Sequence, residues 1–211
     1  MNATLHYIYD PLCGWCYGAE PLVRAAERVE GLGIALHGGG LWPEPTRLSE
    51  PLRNHIRHAD ERIATMSGQP FGAPYLSGLL QDPSLVLDSR PPIAAILAAQ
   101  TLDPPKALPM LRSIQHAHYE RGQHVVDEAV LLDLAAHCGL DPDAFGAALA
   151  EAPVDAHIET SRRLMGRVGS RGFPTFLLQI GEQWYAVPHE RFAAEPEEFG
   201  AWLAEAVARA D

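Results

Sequence analysis

The chain has 211 residues, 47% hydrophobic and 20% charged, which suits one large globular domain or one domain carrying an insertion. Sixteen Lys and Arg against 27 Asp and Glu leave a net charge of −11 with no local basic cluster, so a phosphate backbone or an anionic lipid surface would be repelled, and neither nucleic-acid nor membrane partners are expected. The first residues, Met1-Asn2-Ala3-Thr4-Leu5-His6-Tyr7, lack the basic, apolar and small-residue segments of a secretory leader, and no apolar run is long enough to span a bilayer, so the expectation is a cytoplasmic protein.

Thr4 to Tyr9, rich in aromatic and β-branched residues, reads as a strand stopped by Pro11. From Gly14 onward, Leu22-Val23, Ala25-Ala26 and Val29 recur at helical spacing up to Gly31-Leu32-Gly33, a plausible left-handed cap. Ile34 to His37 reads as a second strand, released by Gly38-Gly39-Gly40. Strand, helix and strand in so short a span predict a βαβ unit with parallel strands and a right-handed crossover.

Helical patterns dominate from Leu41 to about Gly169. Helices are expected over Ser49–Met66, from Pro91-Pro92 to Leu102, and from Pro104-Pro105 to about Arg121. Asp127 and Asp141 are placed to cap two more, and Val154 to Val168 continues the run; Gln69 to Ser89, rich in Gly, Pro and Ser, is expected to be irregular. Strand character returns at Thr175–Ile180, and Gly181-Glu182 turns it into Gln183–Val187 as a hairpin. A last helix, about Pro196 to Ala210, carries Phe199, Leu203, Ala206 and Val207 on one stripe, with acidic residues at its N-terminus where the helix dipole favours them. The outline is βαβ, a helical block, then ββα. It predicts an α/β fold divided as residues 1–42, 43–169 and 170–211, with the two outer segments forming one sheet.

The chemistry concentrates at Asp10-Pro11-Leu12-Cys13-Gly14-Trp15-Cys16, a C-x-x-C where a strand gives way to a helix. Two cysteines three apart can close a disulfide across the first helical turn or supply half of a zinc site. A closed zinc site needs four ligands, and although His55 and His58 are three apart, nothing in the sequence places them beside Cys13. His116 and His118, two apart on a helix, point in different directions and do not suit one metal. The third cysteine, Cys138, falls on an apolar helical face and reads as a small buried hydrophobe. Thiol–disulfide exchange needs a thiolate, and a helix N-terminus with its unpaired N–H groups stabilises one. That makes Cys13 the expected nucleophile and Cys16, one turn inside, the resolving residue. Gly14 leaves the sulfur unobstructed, and Trp15 offers an apolar plate beside it.

The βαβ and ββα halves, the C-x-x-C opening the first helix and the segment Arg171-Gly172-Phe173-Pro174-Thr175 before the third strand together resemble the thioredoxin fold. The helical block, including Asp127 to Leu132 and Gly139-Leu140-Asp141, is similar to the insertion of the DsbA-like subfamily. Asp-Pro-Leu-Cys-Gly-Trp-Cys-Tyr-Gly resembles the cytoplasmic FrnE type described as protein-disulfide isomerases. The resemblance implies a thioredoxin fold with a large all-helical insertion, a cis Phe173–Pro174 bond facing the cysteines, and substrate contacts at Gly14, Trp15, Phe173, Pro174 and Thr175. It implies a thiol–disulfide oxidoreductase or isomerase acting on protein or small-molecule thiols and disulfides, with no metal and no cofactor beyond the redox-active pair, glutathione being a candidate co-substrate. The departures are the Gly14-Trp15 dipeptide, which influences redox poise, and Tyr7, which stands where thioredoxin has a buried acid. Asp10 and Glu20 are then candidates for the base that activates Cys16. A competing reading is a glutathione-dependent isomerase or transferase of the 2-hydroxychromene-2-carboxylate isomerase or kappa type, against which the second cysteine counts and which an apolar pocket beside the sulfur would favour. A third is a non-enzymatic zinc- or partner-binding module. Oligomeric state and direction of electron flow stay open.

Overall fold

The strand expected at Thr4 to Tyr9 is the axis of the molecule. In the computed structural model, which describes residues 3–209, β1 (Ala3–Tyr9) pairs in parallel with β2 (Leu32–Gly38) and antiparallel with β5 (Thr175–Ile180). β6 (Gln183–Ala186) returns beside β5 through a turn at Gly181, whose φ of 58° lies in the left-handed region that a residue without Cβ enters freely. The sheet order is β2-β1-β5-β6. The helix end expected at Ala210 and the outermost residues of the three-part division, 1–2 and 210–211, lie outside the described residues.

Register fixes which loops meet. Tyr9 lies opposite Gly38 and Ile8 opposite Thr175, so the turn after β1, the glycine run after β2 and the loop before β5 converge at one end of the sheet. Tyr7, fully buried, stacks on Phe176 across the strand pair with ring centroids 4.7 Å apart. Cross-strand aromatic pairs of this kind add roughly 0.5–1.5 kcal/mol beyond their buried area.

The single helix expected after Gly14 is two: α1 (Gly14–Gly18) and α2 (Glu20–Ala26), broken at Ala19. Pro21 is the cause. It lacks an N–H and its ring would meet the carbonyl four residues back, whereas at the first turn of a new helix it fits. α2 packs on α9 (Pro196–Ala208), whose Phe199, Leu203 and Val207 are buried as the stripe predicts.

Between β2 and β5 stand α3 (Glu50–Ser67), α4 (Arg90–Leu102), α5 (Ala107–Tyr119), α6 (Glu128–His137), α7 (Pro142–Ala150) and α8 (Val154–Gly166). Ser49 caps α3 by accepting from the Leu52 amide, and Asp141 caps α7 by accepting from the Ala144 amide at 2.9 Å. The segment expected to be all helical also holds a two-stranded ribbon, β3 (Thr46–Arg47) with β4 (Val86–Leu87). Its two-residue strands are too short to leave an alternating pattern in the sequence. The irregular Gln69–Ser89 stretch contains a π-type turn at Pro74–Gly78 and a 3₁₀ turn at Leu79–Gln81.

α3 is the insertion's main contact with the first helix, with α5 adding the stack of Tyr119 on Tyr17. Ile63, 1% exposed, seats against Gly18, where a Cβ would approach it to 2.5 Å. Burying one such side chain contributes about 1.5–3 kcal/mol. No helix among the described residues is long and apolar enough to cross a membrane.

Candidate active site

Asp10 builds the turn that delivers the cysteines. Its Oδ1 accepts from the Leu12 amide at 2.9 Å and its Oδ2 from the Leu41 amide at 2.6 Å, tying the end of β1 to the loop after β2. Burial raises the Asp10 carboxyl above its ordinary value, against which Ser89 and these two amides pull back. Gly39 N–H donates to the Tyr9 carbonyl at 2.7 Å and tightens the same junction.

Cys13 is the N-cap of α1, in extended conformation, and its carbonyl accepts from the amides of both Cys16 and Tyr17. The amides of Gly14 and Trp15, at the start of the first turn, have no intrahelical acceptor and surround the sulfur with positive partial charge. Cys13 and Cys16 are both free thiols. Cys13 is 6% exposed and Cys16 is completely buried, so only the first sulfur can be reached.

Burial pushes the Cys16 thiol well above its ordinary range, and hydrogen bonding and charge from Cys13 push it further. The Asp10 amide, donating to Cys16 Sγ at 3.4 Å, opposes the rise, while the Asp10 carboxylate adds to it. The contributions from Cys13 disappear once that sulfur is bound in a mixed disulfide. Tyr7, in the position of the missing acid, donates its hydroxyl to the Cys16 carbonyl at 3.0 Å.

The Phe173–Pro174 bond is cis. The Phe173 carbonyl lies 3.7 Å from Cys13 Sγ, which donates to it. The Phe173 ring covers Gly39, where a Cβ would come within 2.0 Å of a ring carbon. Arg162 on α8 holds this glycine loop from behind, donating to the Gly39 carbonyl at 2.8 Å and to the Gly40 carbonyl at 2.5 Å. Thr175 is buried, and its hydroxyl spans Ser170 Oγ at 2.6 Å and the Gly172 carbonyl at 2.8 Å, so it braces the loop from inside. Trp15 is 37% exposed, with the Arg62 guanidinium 5.6 Å from its ring centroid.

A cavity of about 270 Å³ opens beside Cys13, with Trp15 and Leu41 at its rim. Its wall is mostly apolar, with Leu52, Ile56 and Ile63 from α3, and it includes Asp60, Tyr75 and His118. His55 also lines it, whereas its neighbour His58 does not. No group of three or more His, Cys, Asp or Glu side chains able to hold a metal gathers among the described residues. Asp60 and Tyr75 stood out in none of the sequence patterns. Of the two candidate bases, Glu20 is engaged by Arg24 and by Arg112 at 2.7 Å, and Asp10 has each oxygen on an amide. Cys138 ends α6 half-buried, its sulfur 3.3 Å from Ser113 Oγ.

A model of the DSBA-like thioredoxin domain matches residues 4–195. The chain belongs to the DsbA-like thioredoxin family. It is accordingly a thiol–disulfide oxidoreductase with the thioredoxin fold. Among solved structures, it is similar to the cytosolic disulfide reductase DsbM from Pseudomonas aeruginosa, with 46% identity over 98% of this chain and 99% of that one and a TM-score of 0.90. It is similarly related to DsbM with GSH, at 47% identity over 97% and 99% of the two chains and a TM-score of 0.88. The ClpXP adapter protein SpxH of Bacillus subtilis (strain 168) is 25% identical over an alignment 157 residues long that covers 67% of this chain. The match spans 46% of SpxH, about half the length of that curated relative.

Proposed function

We propose that this DsbA-like protein reduces disulfides through the Cys13/Cys16 pair, with glutathione as a low-molecular-weight thiol partner. The observation that carries this reading is the single reachable sulfur at a helix N-terminus, 3.7 Å from the carbonyl that precedes Pro174 and backed by a fully buried second thiol. In the reaction, the Cys13 thiolate attacks R–S–S–R′, giving Cys13–S–S–R and R′S⁻. The Cys16 thiolate then attacks Cys13, closing the intramolecular disulfide and releasing RS⁻. Two electrons pass from the dithiol to the substrate, and two external thiols return them.

The backbone of Phe173 offers an extended substrate one short β-like contact, with Trp15 and Gly14 flanking the attacked sulfur. Residues 1–42 and 170–211 supply the exchange chemistry in this reading, and residues 43–169 shape what reaches it. A cytosolic location and a reducing direction draw support from the 46% identity to DsbM, and glutathione from the DsbM structure with GSH.

Redox titration of the pair against glutathione tests the direction: a strongly reducing potential supports reductase action, and a DsbA-like oxidising one overturns it. Cys13→Ser should abolish disulfide reduction, and Cys16→Ser should accumulate a mixed disulfide with glutathione. The apolar cavity beside Cys13 favours one second reading, a glutathione-dependent isomerase or transferase. Turnover that survives Cys16→Ser would select it.

A further inference from the structure

Thiol–disulfide exchange releases a thiolate that must be protonated, and Cys13 has neither Asp10 nor Glu20 free to do it. Both carboxylates are committed, the first to two backbone amides and the second to two arginines. The insertion supplies a third. Asp60, on α3, is 2% exposed and lines the same cavity as Cys13. Its Oδ2 accepts from the Tyr75 hydroxyl at 2.8 Å. Its Oδ1 takes no hydrogen bond among those of the described residues, and it sits where a side chain on Gly14 would begin, 2.5 Å from that position.

We propose that Asp60 is the proton donor to the thiolate released when Cys13 attacks a disulfide, and the proton acceptor in the reverse direction. The proposal rests on the disulfide chemistry inferred above for Cys13. The step balances as Cys13–S⁻ + R–S–S–R′ + Asp60–COOH → Cys13–S–S–R + R′SH + Asp60–COO⁻. The new bond joins Cys13 Sγ to the nearer substrate sulfur, and the electron pair of the broken S–S bond leaves on R′S⁻, which takes the Asp60 proton. Phe173, whose carbonyl lies 3.7 Å from Cys13 Sγ, is not part of the cavity wall that Cys13 and Asp60 share, so with R held along Phe173 that cavity is left to receive R′S⁻. Water re-protonates the carboxylate after R′SH departs.

The surroundings keep this proton available at neutral pH. Burial raises the Asp60 carboxyl to about 7, with the Tyr75 hydroxyl pulling the other way. The titratable groups facing it are Tyr75 from the π-type turn, His118 and Tyr119 from α5, Cys13 at the start of α1, and His55 on α3 itself. Burial holds His118 down to about 3 and lifts both tyrosines well above their ordinary range, so these three stay neutral while Asp60 titrates.

The test compares two disulfides whose leaving thiols differ in acidity. Glutathione disulfide expels an alkyl thiolate that gains from a proton donor, whereas 5,5′-dithiobis(2-nitrobenzoate) expels an aryl thiolate that needs none. Both are mixed with the reduced full-length protein in stopped flow from about pH 6 to 8.5, spanning the range where a carboxyl poised near neutrality changes charge. The ratio of the two rates cancels the shared dependence on Cys13. The expected wild-type ratio, alkyl over aryl, falls as pH rises through about 7, where Asp60 loses its proton.

Asp60→Asn should slow the alkyl disulfide about 100-fold and the aryl one less than about 3-fold, leaving a ratio flat in pH. Tyr75→Phe, which removes the donor that favours the carboxylate, should move the step in the ratio to higher pH. A flat wild-type ratio, or equal slowing of both disulfides in Asp60→Asn, overturns the proton-donor role while leaving disulfide reduction intact. A wild-type protein that reduces neither compound overturns the disulfide reading, and this inference with it.

Discussion

Replacing Asp60 by asparagine should stabilise the protein, by an amount set by pH. Folding buries the carboxyl and raises it from an ordinary 3.8 to about 7. The native state therefore prefers the protonated form. That preference is fully satisfied below the unfolded value, and stability is lost as pH climbs from about 4 through 7. Three pH units at about 1.4 kcal/mol each make the loss about 4 kcal/mol at pH 8. Asparagine has the same shape, keeps an oxygen for the Tyr75 hydroxyl and carries no charge at any of these pH values. The difference in unfolding free energy, variant minus wild type, should thus be near zero at about pH 4, grow through pH 6 and level off above 7. Urea unfolding of the reduced proteins at four pH values measures it. A difference independent of pH, or a variant less stable than wild type at pH 8, would refute the placement of a buried, poorly paired carboxyl at this site.

Three further outcomes follow from single positions. Gly39→Ala puts a methyl group 2.0 Å from a Phe173 ring carbon, so the ring beside Pro174 must move; urea unfolding should show a loss of about 1–3 kcal/mol, and steady-state kinetics a raised KM for disulfide substrates. His118, held down to about 3 by burial, resists protonation in the native state, so its contribution is present above its ordinary 6.5 and is lost as pH falls toward 3. His118→Gln should flatten the acid limb of the stability profile by up to about 1.4 kcal/mol per pH unit in that window, as read by acid unfolding followed by circular dichroism. Asp141→Ala removes the oxygen that accepts from the Ala144 amide at 2.9 Å and should cost about 1 kcal/mol in thermal or urea unfolding.

The parts of this molecule that were legible in the sequence are those whose signal is local. Strand β1 announces itself by composition and Pro11, α7 by Asp141, and the hairpin by Gly181-Glu182. The C-x-x-C and Phe173-Pro174 each occupy a few consecutive residues, and it was the resemblance to the thioredoxin fold, carried by the order of elements between them, that implied they face each other. The break at Ala19 was also local, since Pro21 forbids a continuous helix, but the apolar spacing through Leu22 and Ala26 masked it. Arg162 was invisible for a different reason. It acts through its guanidinium on backbone carbonyls more than a hundred residues earlier in the chain, and no side-chain pattern records such a contact.

Asp60 left a trace of another kind. Leu52, Ile56 and Ile63 fall on one stripe of α3, and Asp60 occupies the turn between Ile56 and Ile63 on that same stripe. An acid inside an apolar stripe is a buried carboxyl awaiting a partner, but Arg57, His58, Glu61 and Arg62 around it give this stretch the composition of a solvated face. The identity of Gly14 depends on the same contact. Read alone, Gly14 keeps the neighbouring sulfur unobstructed; in the folded chain it is the residue that lets a carboxylate oxygen stand against the first helical turn. A side chain there would meet Asp60 at 2.5 Å and drive α3 or its carboxyl away. The Gly14-Trp15 dipeptide therefore exerts its influence jointly with a helix of the insertion, Gly14 by admitting Asp60 and Trp15 by holding the rim of the cavity that Asp60 lines. On the disulfide chemistry proposed above, Cys13 works beside that three-way contact and not beside the dipeptide alone.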